Sequence, residues 1–304
     1  MTWDIAAFYQ FARLPQYRDL QSGLLQSLKG LGARGSLLVA EEGVNGTIAA
    51  PQGRITEVLD AIRAQTGLAL PKVKFSVAEA QPFKRMKVRL KKEIVTIGPV
   101  YADPEAVVGT YVEPEQWNAL ISDPDVIVID TRNSYEFKVG SFRNAIDPGT
   151  DSFGEFPAWV RHELDGKKNR KIAMFCTGGI RCEKATSFMK HEGFGEVFHL
   201  KGGILKYLET MPQEQSLWSG GCFVFDERVA VGHGLRETGH SICHGCLMPV
   251  SPEERLSPAY EEGVCCPACA ATLSETQKAS NRERQRQFTL ARQRGKHHLG
   301  PVEG

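Results

Sequence analysis

Cysteine is absent from the chain before Cys176. All eight cysteines fall at or after that position, five of them between Cys243 and Cys269. A disulfide framework would spread them, whereas this clustering favours metal binding or catalysis in a reducing compartment. No apolar run approaches the ~20 residues a membrane-spanning helix takes. The start, Met1-Thr2-Trp3-Asp4-Ile5, has neither the basic n-region nor the apolar h-region of a secretory signal. A cytoplasmic protein with no membrane partner is therefore expected. There is no GxGxxG fingerprint, no two-histidine–carboxylate set and no flavin, haem or nucleotide motif.

Net charge is also nearly absent, at +1 over 304 residues. With 41% hydrophobic and 24% charged residues, the composition excludes a disordered or fibrous chain, and the length suits two or three domains. The balance hides an uneven distribution. Residues 1–100 carry 14 Lys/Arg against 8 Asp/Glu, residues 110–215 carry 13 against 16, residues 216–274 carry 3 against 7, and residues 275–304 carry 7 against 3. Two basic ends around an acidic middle would suit a polyanion gripped from both sides.

In chain order, Trp3, Ile5, Ala7, Tyr9 and Phe11 alternate as in a strand, and Leu20, Leu24, Leu28 and Leu31 recur at helical spacing. Residues 35–41 read as a second strand, Glu42–Gly46 as a turn and Thr47–Ala50 as a third strand. A helix over about 52–66 and a strand at Val73–Val77 complete a β-α-β-β-α-β order, the ferredoxin-like split motif, over residues 1–98. Six of the nine residues from Lys84 to Lys92 are basic. As a strand, this segment sets Lys87, Arg89 and Lys91 on one face and Val88 and Leu90 on the other. A solvated face is one reading; a phosphate-binding row that includes Lys84, Arg85 and Lys92 is the other.

Residues 99–112 are rich in Pro and Gly and read as a linker. Over 113–215 strands alternate with helices, as in an α/β domain with a parallel sheet. Val126–Asp130 is a continuous apolar run, the mark of a buried parallel strand. The strand Lys171–Phe175 leads into Cys176-Thr177-Gly178-Gly179-Ile180-Arg181, and a helix follows. Backbone N–H groups of such a loop converge on an anion at a helix N-terminus. A thiol there ionises below its usual value of about 8.5. Thr177, Gly178, Gly179, Ile180 and Arg181 are thus expected to cradle an anion at Cys176. Cys182 is a candidate resolving thiol or a packed residue.

Ile129-Asp130-Thr131-Arg132, Tyr135-Glu136, Gly140-Ser141-Phe142, Ala145-Ile146, Phe175-Cys176 and Leu200-Lys201-Gly202-Gly203 together resemble a rhodanese domain. In that family the loop cysteine carries a sulfane sulfur as a persulfide. Asp130, Arg132 and Glu136 are usually scaffold ion pairs there. Cysteine-dependent phosphatases place five residues between Cys and Arg. Here four separate Cys176 from Arg181, a tighter ring that suits a sulfur better than a phosphoryl group.

Past the rhodanese stretch, Cys222 sits in an apolar run and reads as packing. Cys243-His244-Gly245-Cys246 and Cys266-Pro267-Ala268-Cys269 form two Cys-x-x-Cys knuckles in a small module over 216–274. Such a pair of knuckles closes a tetrahedral zinc site that serves folding. Cys265 is a substitute ligand, with His240 and His244 weaker ones. The tail, 275–304, reads as solvated or disordered, or as a basic arm on RNA phosphates that includes Arg282 and Arg286.

Beyond the middle, Glu42-Gly43-Val44-Asn45-Gly46-Thr47, Pro82-Phe83-Lys84, Lys92-Glu93-Ile94-Val95-Thr96, Phe175–Lys184 and Cys222–Val229 resemble the rhodanese-containing, oxygen-dependent tRNA uridine hydroxylases. The resemblance implies an acylphosphatase-like N-terminal domain. It implies hydroxylation of the wobble uridine to 5-hydroxyuridine with molecular oxygen as co-substrate; in that reading Cys176 is the essential nucleophile or oxygen carrier, through a persulfide or related sulfur species. tRNA is the implied partner. Alternatives from the same residues are a sulfurtransferase fed by a sulfur donor and serving tRNA thiolation, and a zinc-bearing RNA-binding module with an idle loop.

Overall fold

The computed structural model describes residues 2–98 and 100–294. The N-terminal domain runs β1 (Trp3–Phe11), α1 (Leu20–Gly30), β2 (Arg34–Ala40), β3 (Gly43–Pro51), α2 (Ile55–Thr66) and β4 (Val73–Ala78), the order expected from the sequence. A fifth strand, β5 (Met86–Leu90), extends the sheet to the order β4-β1-β3-β2-β5. It lies parallel to β2, with Val88 opposite Leu37, and all other neighbours are antiparallel. One face packs Ala6, Phe8, Leu37 and Ile48 under Leu24, Leu28, Val58 and Ile62 of the two helices. Burial of such side chains stabilises the domain by ~1.5–3 kcal/mol each. The turn expected at Glu42–Gly46 is shorter: β3 already begins at Gly43, opposite Ala40. In β5, Met86 and Val88 turn into the core while Arg89 is exposed. The strand ends at Leu90, so Lys91 lies just past the row it was expected to join.

The expected linker ends early, because Thr110–Val112 already pairs into the second domain as β6. There follow α3 (Pro114–Ser122), β7 (Val126–Asp130), α4 (Ser134–Val139), β8 (Gly140–Phe142), α5 (Phe156–Glu163), β9 (Lys171–Phe175), α6 (Ile180–His191), β10 (Val197–Leu200) and α7 (Gly203–Thr210). The sheet is parallel, in the order β6-β10-β9-β7. Successive residues of β9 feed two cores. Ala173 and Phe175 join Trp117, Phe142 and Tyr207, whereas Ile172 and Met174 join Ile129, Phe156 and Phe188. Burial on both faces is why these strands read as unbroken apolar runs.

The segment after the rhodanese stretch does not leave it at residue 216. β11 (Trp218–Gly220) pairs antiparallel with β8, and Trp218 and Cys222 pack in the core of Trp117 and Phe142.

The Cys-rich module forms its own compact unit, with a short ribbon of Ser241–Ile242 and Pro249–Val250 and a core of Val250, Val264 and the cysteines. The tail is not a loose arm over its described part. Glu275–Gln293 is a helix, α8, and it is docked on the module. Asn281 donates to Val264 O at 3.1 Å, Arg284 to His244 O at 2.6 Å, and Arg282 pairs with Glu261 at 2.6 Å. Residues 295–304 lie outside the described residues. Among the described residues no helix is long and apolar enough to cross a membrane.

Candidate active site

The buried strand β9 delivers Cys176 to the mouth of α6. Its Sγ accepts the Gly179 N–H at 3.1 Å, and the thiol is fully buried. Burial alone would push its ionisation up. Hydrogen bonds from the Cys182 thiol and N–H, the Arg181 charge and the Gly179 N–H outweigh it and hold the thiol at about 6. Burial first, and then the hydrogen bond and charge of Cys176, push Cys182, in contact with Thr131 Oγ1 at 3.6 Å, well above an ordinary thiol. Cys182 is therefore the proton-bearing partner of a thiolate.

The loop's carbonyls face away from the sulfur because α7 takes them. Ile204 N–H donates to Cys176 O at 3.0 Å and Leu205 N–H to Thr177 O at 3.1 Å. This close approach requires glycine at position 203, where a Cβ would lie 2.5 Å from Cys176 O. That is the physical content of the Lys201-Gly202-Gly203 motif.

Arg181 is placed differently from the sequence expectation. Within the loop its guanidinium reaches only the Thr177 side chain, Nη2 donating to Oγ1 at 3.4 Å. Both Nη atoms are taken by Glu136, at 2.7 and 2.8 Å, and its charge reaches Cys176 only through space. Glu136 also accepts the Asn133 N–H at 3.1 Å and the Thr177 hydroxyl at 3.4 Å. Burial disfavours its charged form, yet Arg181 and Arg132 hold its carboxyl below the usual range. Asp130 and Arg132, both fully buried, form a second pair at 2.7 Å, so these residues act as scaffold. Cys222, whose thiol burial raises to about 12, stays protonated beside Thr177.

The residues sequence reasoning missed come from the N-terminal domain. Every residue of α6 from Arg181 to Met189 is buried, which a helix with three charges in its first turns tolerates only if each is paired. Glu183 accepts Tyr9 Oη at 2.7 Å and Lys72 Nζ at 2.5 Å. Lys184 pairs with Glu42 at 2.8 Å and Glu93 at 2.5 Å and donates to Val95 O at 3.0 Å. Lys74, half-buried on β4, donates to Gly178 O. The motifs around Glu42, Glu93 and Glu183-Lys184, far apart in the chain, thus meet in one clamp. The alternation of Ala7 and Tyr9 against Lys74 on the sheet face away from α1 and α2 was the available signal, but its partner was not.

The basic row stands where the alternation placed it at Arg89, and Lys84, Arg85, Lys91 and Lys92 are exposed around it, with Lys87 half-buried. Arg282 is committed to Glu261, whereas the exposed Arg286 has Glu283, one turn before it, at 3.4 Å.

In the module, the Sγ atoms of Cys243, Cys246, Cys266 and Cys269 all lie within 4.8 Å of one another. The pairs Cys243–Cys269, Cys246–Cys266 and Cys266–Cys269 are 3.8, 3.7 and 3.8 Å apart. A tetrahedron with metal–sulfur bonds of about 2.3 Å has edges of roughly 3.8 Å, so the four thiols fit a metal ion. Cys265 lies outside this set, and its thiol donates to Ala259 O at 3.5 Å. His240 contacts Thr238 at 2.7 Å, and His244 stacks on Phe288.

The family model described as the UPF0176 acylphosphatase like domain matches residues 3–94, and that of the rhodanese-like domain matches residues 113–210. A tRNA uridine(34) hydroxylase from Agrobacterium fabrum is 56% identical over 296 residues, 97% of this chain and 94% of that protein. One from Rhizobium leguminosarum bv. trifolii is 58% identical over 297 residues, 97% of this chain and 96% of that protein. This chain belongs to the tRNA uridine(34) hydroxylase family. As a family member it carries an acylphosphatase-like domain and a rhodanese domain joined through α6, with the cysteine loop between them. A solved rhodanese-like domain from Anabaena covers 36% of this chain and 78% of its own at 16% identity, with a TM-score of 0.29, and adds nothing to the identification.

Proposed function

We propose that this protein hydroxylates the wobble uridine of tRNA, uridine 34, to 5-hydroxyuridine with molecular oxygen, and that Cys176 is the reacting sulfur. The near-full-length identity to proteins named for that activity carries the reading. The loop supports it chemically: a thiol held at about 6 is roughly nine-tenths thiolate at pH 7. Cys176 works through a persulfide or related sulfur species, cradled by the amides around Gly178 and Gly179 with the Arg181 charge nearby. Inserting one atom of O2 into a C–H bond and releasing the other as water takes two electrons and two protons. The Cys176 thiolate and the Cys182 thiol it contacts supply both electrons and one proton on closing to a disulfide, and solvent supplies the other proton.

The basic residues Lys84, Arg85, Lys87, Arg89, Lys91 and Lys92, with Arg286, bind tRNA phosphates in this reading, and the protein works in the cytoplasm. Cys243, Cys246, Cys266 and Cys269 hold a structural zinc ion, which supplies folding energy to the module. A strain lacking the gene, complemented with Cys176→Ala, should yield tRNA whose digested nucleosides lack 5-hydroxyuridine by mass spectrometry. A wild-type level would sink the role of Cys176, and loss of a thio-nucleoside instead would establish a sulfurtransferase.

A further inference from the structure

Three successive carbonyls of the cysteine loop are held from outside. Those of Cys176 and Thr177 go to amides of α7, at 3.0 and 3.1 Å. The third, Gly178 O, goes to the ammonium of Lys74, from β4 of the other domain. A trans peptide sets its C=O and N–H on opposite sides. Pinning Gly178 O outward therefore aims the N–H of the same peptide unit inward, and that N–H is the Gly179 donor, 3.1 Å from Cys176 Sγ. This peptide lies between two glycines, with Gly179 at φ +104°, so sterics offer little resistance to its turning over. We propose that Lys74 is a positioning residue that sets the reactivity of Cys176 by fixing and polarising the Gly178–Gly179 peptide, so that the N-terminal domain completes the site in the rhodanese domain.

The surroundings agree. Burial lowers the Lys74 ammonium to about 8 against the pull of the Cys176 thiolate and the Glu183 carboxylate, so it is still cationic at pH 7 and its field favours a thiolate. The other groups facing Cys176 are Cys182, Arg181 with Glu136 behind it, Cys222 across Thr177, and Tyr9 with Glu183 and Lys72. None of these contacts Gly178 O. A purely structural lysine would leave the sulfur's ionisation alone once the domain is folded.

The inference rests on Cys176 as the reacting group, and its test uses no tRNA, so its failure would leave the hydroxylase reading standing. The full chain is labelled with 13Cβ-cysteine, Cys176→Ser identifies the resonance, and its shift is followed against pH. In wild type the midpoint should lie near 6. Lys74→Met should make the ionisation constant about tenfold smaller, while Lys74→Arg, which keeps donor and charge, should stay near wild type. An unmoved midpoint in a folded Lys74→Met protein would overturn the proposal, as would an equal rise in Lys74→Arg. Should Lys74→Met not fold, Lys74→Ser, small and polar at this half-buried position and too short to reach Gly178 O, is read the same way.

Discussion

The pair Glu136–Arg181 is the sharpest place to perturb the site, because the two side chains are 0% and 10% exposed and no solvent is at hand to take over from either. Glu136→Gln keeps the shape and removes the charge. It leaves a buried guanidinium facing a neutral amide that can accept at only one of the two positions now filled. Breaking a buried pair in this way costs about 3–5 kcal/mol, a large share of the ~5–15 kcal/mol that holds a domain folded. The chain has four tryptophans, and Trp3→Phe leaves Trp117, Trp159 and Trp218, all packed in or against the cores of the rhodanese domain, to report on it alone. With a urea slope of about 3 kcal/mol per molar, the midpoint should fall by roughly 1–1.7 M. Adding Arg181→Met removes the stranded charge, so the double variant should be more stable than Glu136→Gln alone. The pH dependence has a fixed sign. The folded-state ionisation of Glu136 is depressed, so its contribution is present above the unfolded value of about 4.3 and drains away as pH falls through the folded one. Glu136→Gln should lose that acid-side slope. A cost under about 0.5 kcal/mol, or a double variant no more stable than the single one, would mean that Glu136 does not neutralise a buried Arg181 charge.

Three further outcomes follow from the same interactions. Lys184→Met removes the cation shared by Glu42 and Glu93 and leaves two carboxylates together; these are 27% and 23% exposed, so solvent trims the cost to ~2–3 kcal/mol in chemical unfolding. Cys243→Ser should lower bound zinc from one equivalent towards none, measured by elemental analysis, and melt α8 by circular dichroism while the Cys176 titration stays in place. Reversing the row with Lys87→Glu and Arg89→Glu should weaken tRNA binding in filter assays and flatten its salt dependence by ~0.7–0.9 for each phosphate no longer neutralised. Arg282→Ala, already paired with Glu261, should change binding much less.

The strands of both domains were legible because burial on one or both faces leaves a period in the residues. Val126–Asp130 and Lys171–Phe175 fall where the apolar runs put them. The thiol loop was legible because Cys, two Gly and a helix start are contiguous. The role of Arg181 was not, because its partner Glu136 is 45 residues away and only the fold sets the two side chains together. The same holds for Tyr9, Lys72 and Lys74: nothing local to β1 or to the start of β4 says that Tyr9 and Lys72 meet α6 of another domain, or that Lys74 meets the loop before it. The tail misled for a related reason. Its few apolar anchors suggest a solvated segment, yet α8 is held by polar contacts to Val264, His244 and Glu261, which carry no periodic signal.

In the proposed reaction, oxygen from O2 reaches uridine 34 through chemistry at Cys176. Purified protein, pre-reduced and mixed with unmodified tRNA under 18O2 in ordinary water, tests it directly when the digested nucleosides are weighed. Wild-type protein should give 5-hydroxyuridine carrying the heavy isotope, and Cys176→Ala should give none. Unlabelled 5-hydroxyuridine, or labelled product formed equally by Cys176→Ala, would contradict that route.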